Sequence, residues 1–136
     1  MNREKLLEEL KLDEGLRLKP YLCSSGKLTI GVGRNLDDIG ITRAEAMVLL
    51  DNDVDRCIRE LDGALPWWRN LTDARQRALA NMCFNLGITR LRKFSRTLRA
   101  LEDARYEDAA RHALDSAWAR QVGARATRIA ALIRAG

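Results

Sequence analysis

At 136 residues with 46% hydrophobic side chains, the chain has the size of one domain and enough apolar material for a core, which excludes a disordered protein. No apolar run approaches the ~20 residues of a membrane span, and the opening MNREKLLEEL reads as too charged for a signal peptide. The net charge of +5 is uneven, because residues 1–63 carry 10 Lys and Arg against 13 Asp and Glu while residues 64–136 carry 14 against 6. A basic second half suits an anionic partner or forms a solvated Arg-rich surface.

Leu6, Leu7 and Leu10 among charges predict a short amphipathic helix over 3–12, with Asn2 as its N-cap and Gly15 just past its end. Leu16 to Leu22 reads as extended chain, and Pro20 confines that strand to an edge. Ser24-Ser25-Gly26 is a turn, and Leu28-Thr29-Ile30 predicts a second strand. Gly31 and Gly33 permit close backbone approach or a bend, and Asn35 to Gly40 reads as loop.

Thr42-Arg43-Ala44-Glu45 is a capping box, opening a helix that Met47, Leu50, Val54, Ile58 and Leu61 carry to Asp62-Gly63. Pro66 suits the first turn of a short helix holding Trp67 and Trp68. Thr72 and Asp73 open the next helix. Its stripe of Ala74, Ala78, Met82 and Leu86 ends at Gly87, and its several apolar faces place it at the centre of a core. Phe94 to Leu101 and Tyr106 to Leu114 predict two further helices, Trp118 falls in a break, and Ala126 to Ile133 predicts the last helix.

The three cysteines, Cys23, Cys57 and Cys83, are an odd number at spacings that match no zinc pattern, and His112 is the only histidine. The expectation is therefore no metal site, no cofactor and no histidine-based nucleophile. Glu14 stands at a helix exit before a ribbon that carries a thiol and a hydroxyl. As a single residue it is an ordinary solvated carboxylate. Sheltered beside apolar groups, the protonated form is favoured and the same side chain becomes a proton donor.

DEGLRLKPY followed by SSGKLTIGVGR resembles the opening of the tailed-phage lysozymes, glycoside hydrolase family 24, whose signature is Glu, eight residues, Asp or Cys, five residues, Thr. Glu14, Cys23 and Thr29 have that spacing. LLDNDVDRCIREL is similar to the family's interlobe helix and NMCFNLG to the central helix of its larger lobe, so the resemblance covers nearly the whole chain. It implies an α+β, predominantly helical, two-lobed fold: a small β lobe over 13–41, an interlobe helix over 42–62, and a helical lobe of 1–12 with 63–136. It also implies hydrolysis of the β-1,4 bond between N-acetylmuramic acid and N-acetylglucosamine in peptidoglycan.

In that scheme Glu14 is the general acid, since an alkoxide leaves poorly without a proton. Cys23 is the second catalytic group, where relatives more often carry Asp, and Thr29 positions it or a water. A thiol of ordinary pKa, ~8.5, is little ionised at neutral pH, so Cys23 acts as a thiolate only if Arg side chains or a helix terminus lower that value. Asn81, Phe84 and Asn85 fall on the cleft-facing family helix. An Arg34–Asp53 ion pair is expected, and Arg17 with Arg125 is expected to surround the Glu14 carboxyl. Cys57, Cys83 and Trp118 read as core.

The partners implied are peptidoglycan glycan strands, with no nucleic acid and no stable membrane insertion. The resemblance further implies a monomer kept in the host bacterial cytoplasm until a holin releases it, or a lysozyme domain on a tail or secretion device. Two other classes share parts of the pattern: a peptidoglycan-binding module without turnover, because Cys23 is not Asp, and a basic helical protein binding nucleic acid. No recognition motif supports the latter.

Overall fold

A computed structural model describes residues 1–136. Helix α1 spans Arg3–Glu14, and strands β1 Arg17–Leu22, β2 Leu28–Gly31 and β3 Arg34–Asn35 follow. Then come α2 Arg43–Ala64, a 3-10 helix Pro66–Asn70, α3 Asp73–Leu86, α4 Ile88–Leu91, α5 Ser95–Glu102, α6 Tyr106–Leu114, α7 Ala117–Val122 and α8 Ala124–Ala135. The chain separates into two compact units, Met1–Val48 and Leu49–Gly136.

In the first unit, α1 runs two residues further than the leucine pattern predicts. Asn2 caps it as expected, accepting from the Lys5 amide at 3.0 Å. Gly15, at φ +74°, closes it by donating to the Lys11 carbonyl at 2.9 Å, so Glu14 is the last helical residue. The sheet is antiparallel in the order β1-β2-β3, with Tyr21 opposite Thr29 and Thr29 opposite Asn35. Pro20 does lie in an edge strand. The expected two-stranded ribbon gains a third strand where a loop was expected, because Arg34–Asn35 is too short for any alternation to register. Helix α1, the ribbon and the start of α2 make up the first unit. Leu7, Leu10 and Glu14 of α1 share one cavity wall with Val32 and Gly33.

The second unit holds nearly all the buried side chains. Leu79, Met82 and Cys83 of α3 meet Ile129, Ala130 and Ile133 of α8 in one apolar cluster, and α5 and α6 complete it. Ala109, Ala110 and Ala113 on α6 are small enough to let α8 approach closely. Burying each Leu or Ile here is worth ~1.5–3 kcal/mol. Cys57 and Cys83 are buried free thiols, as their helical positions suggested. Burial, with the neighbouring Cys57 thiol second, pushes Cys83 up to about 12, so it stays protonated and unreactive.

Trp68 is buried with its indole N–H donating to Asp62 Oδ1 at 2.7 Å. Trp118 is also buried, but it lies in α7 rather than in a break. Ser116 starts that helix by accepting from the Ala119 amide at 3.1 Å, a cap hidden by the brevity of the element.

Candidate active site

Glu14, Cys23 and Thr29 all lie in the first unit, and its local structure explains where each is held. Because α1 ends at Glu14, the chain reverses at Gly15 and leaves that carboxyl beside the turn between β2 and β3. A Cβ built on Gly33 would sit 2.8 Å from Glu14 Oε2, so the carboxylate rests directly on glycine backbone. Gly33 also has φ +67°, a conformation that L side chains rarely adopt. Glu14, Leu7, Leu10, Lys11, Val32 and Gly33 line a cavity of about 320 Å³. The expected sheltering of Glu14 is not seen: its side chain is exposed, as the final residue of a helix with no buried position.

Cys23 and Thr29 are joined through one carbonyl. The Lys27 carbonyl accepts from the Cys23 amide at 2.9 Å and from the Thr29 hydroxyl at 2.9 Å. Thr29 is 3% exposed, the one buried polar side chain of the sheet. Cys23 Sγ lies 3.1 Å from Ser25 Oγ. The thiol is lowered to about 7, first by the Ser25 hydroxyl, next by the Lys27 and Ser25 amides, with a smaller contribution from the Thr29 hydroxyl; burial opposes the shift. The shift favours the thiolate relative to an ordinary cysteine. The cause is the turn itself, not the arginine or helix terminus that the sequence suggested.

Several supporting assignments change. Arg34 does not take Asp53 as its partner. Its guanidinium donates to Glu45 at 2.9 Å and to the Gly40 carbonyl at 3.1 Å, because the capping box brings the Glu45 carboxylate beside β3. Asp53 pairs instead with Arg56 at 3.0 Å, one turn along its own helix. Arg17 does not pair with Glu14 but stacks over the Tyr21 ring, 4.3 Å from its centroid. Arg125 donates to Asn81 Oδ1 at 2.9 Å. Asn85 Oδ1 accepts the Trp118 indole N–H at 2.8 Å, so half of its carboxamide serves the core. Phe84 remains 41% exposed, and with Asn81 and Arg125 it lines a cavity of about 450 Å³ in the second unit.

Sequence reading missed Ser25 and Glu45 as partners of functional side chains. A hydroxyl two residues past a thiol, inside a turn, was the available signal for Ser25. For Glu45 none existed, because the pairing spans two elements.

A small antiparallel sheet with an acid at a helix exit, followed by a helical body, places the chain among the lysozyme-like α+β folds. The phage lysozyme family model matches residues 11–134, and the chain belongs to that family. It is similar to the "Pre-baseplate central spike protein Gp5" of Enterobacteria phage T4, with 31% identity across 96% of this chain but only 28% of the spike protein. It is also similar to the "Probable T4-type lysozyme 2" of Dictyostelium discoideum, with 28% identity over 96% of this chain and 94% of that protein. An "Endolysin" of Acyrthosiphon pisum secondary endosymbiont phage 1 is 34% identical over 63% of this chain and 60% of its own length.

Proposed function

We propose that this chain hydrolyses the β-1,4 bond between N-acetylmuramic acid and N-acetylglucosamine in bacterial peptidoglycan. Glu14 protonates the glycosidic oxygen as its bond to the anomeric carbon breaks, and charge develops on the sugar ring. Cys23, as thiolate, meets that charge from the ribbon, either by attacking the anomeric carbon or by drawing a proton from water. Thr29, fixed by the Lys27 carbonyl, orients the thiol or that water. On the second unit, Asn81 and the partly exposed Phe84 line a cavity and offer sugar contacts. What supports this reading is the family match over residues 11–134 together with Glu14, Cys23 and Thr29 in one unit, the Cys23 amide and the Thr29 hydroxyl both donating to the Lys27 carbonyl.

Release of reducing ends from purified peptidoglycan is the test, with Glu14→Gln and Cys23→Ala beside the unaltered protein. Turnover should fall by at least ~100-fold in Glu14→Gln, the scale of a lost general acid. Turnover in Glu14→Gln as fast as in the unaltered protein removes the reading. The anomer of the first product, followed by NMR, separates attack by sulfur (retention) from activation of water (inversion).

Two settings suit this activity. As an endolysin, the protein waits as a monomer in the host cytoplasm and reaches the wall through a holin lesion. As a module on a tail device, it cuts the wall during entry. The spike protein's similarity across 96% of this chain favours giving the second setting equal weight.

A further inference from the structure

The reaction above uses one of the three cysteines and leaves two, Cys57 on α2 and Cys83 on α3, both in the second unit. Both are free, both are buried, and both belong to the one apolar cluster. The Cys83 thiol donates to Glu60 Oε2 at 3.8 Å. Glu60 follows Cys57 by three residues in α2, and residues at that spacing share a helix face. Cys57 therefore approaches Cys83 from the same side as Glu60 does. The Cys57 sulfur accordingly comes second only to burial in raising the proton affinity of Cys83. A carboxylate touching a core thiol is a base in contact with its proton. Glu60 is half-buried, and its other oxygen lies 3.9 Å from Arg56 Nε. The two thiols also differ in access. Cys57 lines the cavity of about 450 Å³ that holds Asn81 and Phe84, whereas Cys83 lies behind it.

We propose that Cys57 and Cys83 are a redox pair, oxidised by a small hydroperoxide to a disulfide that braces α2 against α3, with Glu60 as the proton acceptor. The hydroperoxide enters the cavity and transfers one oxygen to the Cys57 sulfur, forming a sulfenic acid, while its remainder leaves as water or an alcohol. The Cys83 sulfur then attacks the Cys57 sulfur. The S–O bond breaks, the thiol proton passes to Glu60 and on to the departing hydroxide, and water is released. Two thiols have then lost two electrons, and the peroxide has gained them. Cys83 alone keeps its proton and is inert to reagents from outside; an electrophilic sulfur beside it and a carboxylate in contact supply what it lacks. The bond closes a loop from α2 through the 3-10 helix to α3, which restricts the unfolded chain. Such a brace is absent in a reducing cytoplasm and forms where the surroundings oxidise.

Hydrogen peroxide is the probe, added to the folded full chain and to Cys23→Ser, in which the exposed thiol no longer competes. Mass spectrometry of the Cys23→Ser chain should show the loss of two hydrogens, and peptide mapping should join Cys57 to Cys83. The melting temperature of the oxidised chain should rise by about 5 °C or more, and a dithiol reductant should return it to its starting value. Adding Cys57→Ala or Cys83→Ala to that chain should abolish the rise. Glu60→Gln should slow the joining about 10-fold or more, the lower side of what a positioned base contributes, while the reduced chain melts as before. Oxygen added to either sulfur without a join, or a link between two chains, would overturn the pairing. A join that leaves the melting temperature unchanged would overturn the brace, and equal rates in Glu60→Gln would overturn the proton acceptor. Because the readouts are mass and melting and not turnover, the hydrolytic role of Glu14 stands or falls separately.

Discussion

The Cys23 thiol owes its acidity first to a hydroxyl two residues away, so its reactivity is a property of a five-residue turn. Iodoacetamide captures the thiolate, so the alkylation rate at Cys23 should rise with pH and reach half its plateau near about pH 7. Ser25→Ala removes the largest stabilising contact and should move that midpoint upward, towards the ordinary ~8.5. Mass spectrometry of the Cys23 peptide reads both. Cys57 and Cys83 are buried and should stay unlabelled in the folded protein. A midpoint that does not respond to Ser25→Ala would mean that the hydroxyl is not the cause. Gly33 poses a different residue-scale question, because two constraints coincide there. Gly31→Ala and Gly33→Ala both place a side chain at positive φ and should each cost ~1–3 kcal/mol, read as lowered melting temperature. Only the Gly33 substitution drives a methyl into the Glu14 carboxylate, since nothing lies within 4 Å of a Cβ at Gly31. Turnover should therefore fall further in Gly33→Ala than in Gly31→Ala.

Elements announced themselves where a local rule governs them. Thr42 and Glu45 form the reciprocal capping box that their spacing implies, with Glu45 N to Thr42 Oγ1 at 3.1 Å and Thr42 N to Glu45 Oε1 at 3.0 Å. Thr72 and Gly87 bound α3 as read, because cap chemistry depends on neighbours within one turn. Strand β3 and helix α7 escaped notice, being too short for periodicity. The Arg34–Asp53 expectation failed for a related reason: a carboxylate already fixed at Glu45 by its cap lay nearer to Arg34. That convergence has a pH signature. The Arg34 guanidinium first, then the Thr42 amide, hold Glu45 at about 2. The Arg69 guanidinium first, then the Trp68 indole, hold Asp62 at about 2. Both folded values are depressed, so the stability they contribute is complete above the unfolded values, ~3.9 for Asp and ~4.3 for Glu. It is lost as pH falls from there through about 2. Melting temperature should drop across that window. In Glu45→Gln and Asp62→Asn the protein should melt lower at pH 7, and the drop towards acid should be shallower. A slope unchanged in both variants would assign acid sensitivity to other carboxylates.

At the scale of the whole chain, burial is distributed far less evenly than composition suggests. Every buried hydrophobic residue lies between Cys57 and Ile133, and in residues 1–48 only Thr29 is buried. The central position of α3 was legible, because Ala78, Met82 and Leu86 recur on a helix that is apolar on more than one face. The thinness of the first unit was not. Leu6, Leu7 and Leu10 have the spacing of a core-facing stripe and are nonetheless exposed. Periodicity reports which face is apolar and not how much protein covers it. The site residues Glu14, Cys23 and Thr29 thus stand on a unit held by backbone hydrogen bonds, glycine turns, partly exposed polar pairs such as Arg34–Glu45 and one buried hydroxyl. Such regions open locally at lower free energy than a packed core. Hydrogen exchange should therefore divide the chain: amides of β1, β2 and β3 should exchange well before those of α3 and α8, whose side chains fill the core. The ribbon's protection should also respond little to Ile129→Ala, a substitution expected to cost ~2–5 kcal/mol of global stability. If ribbon amides instead exchanged at the same free energy as α3 and fell with it in that variant, the two units would unfold as one, and the separation read from their burial would not describe the protein's energetics.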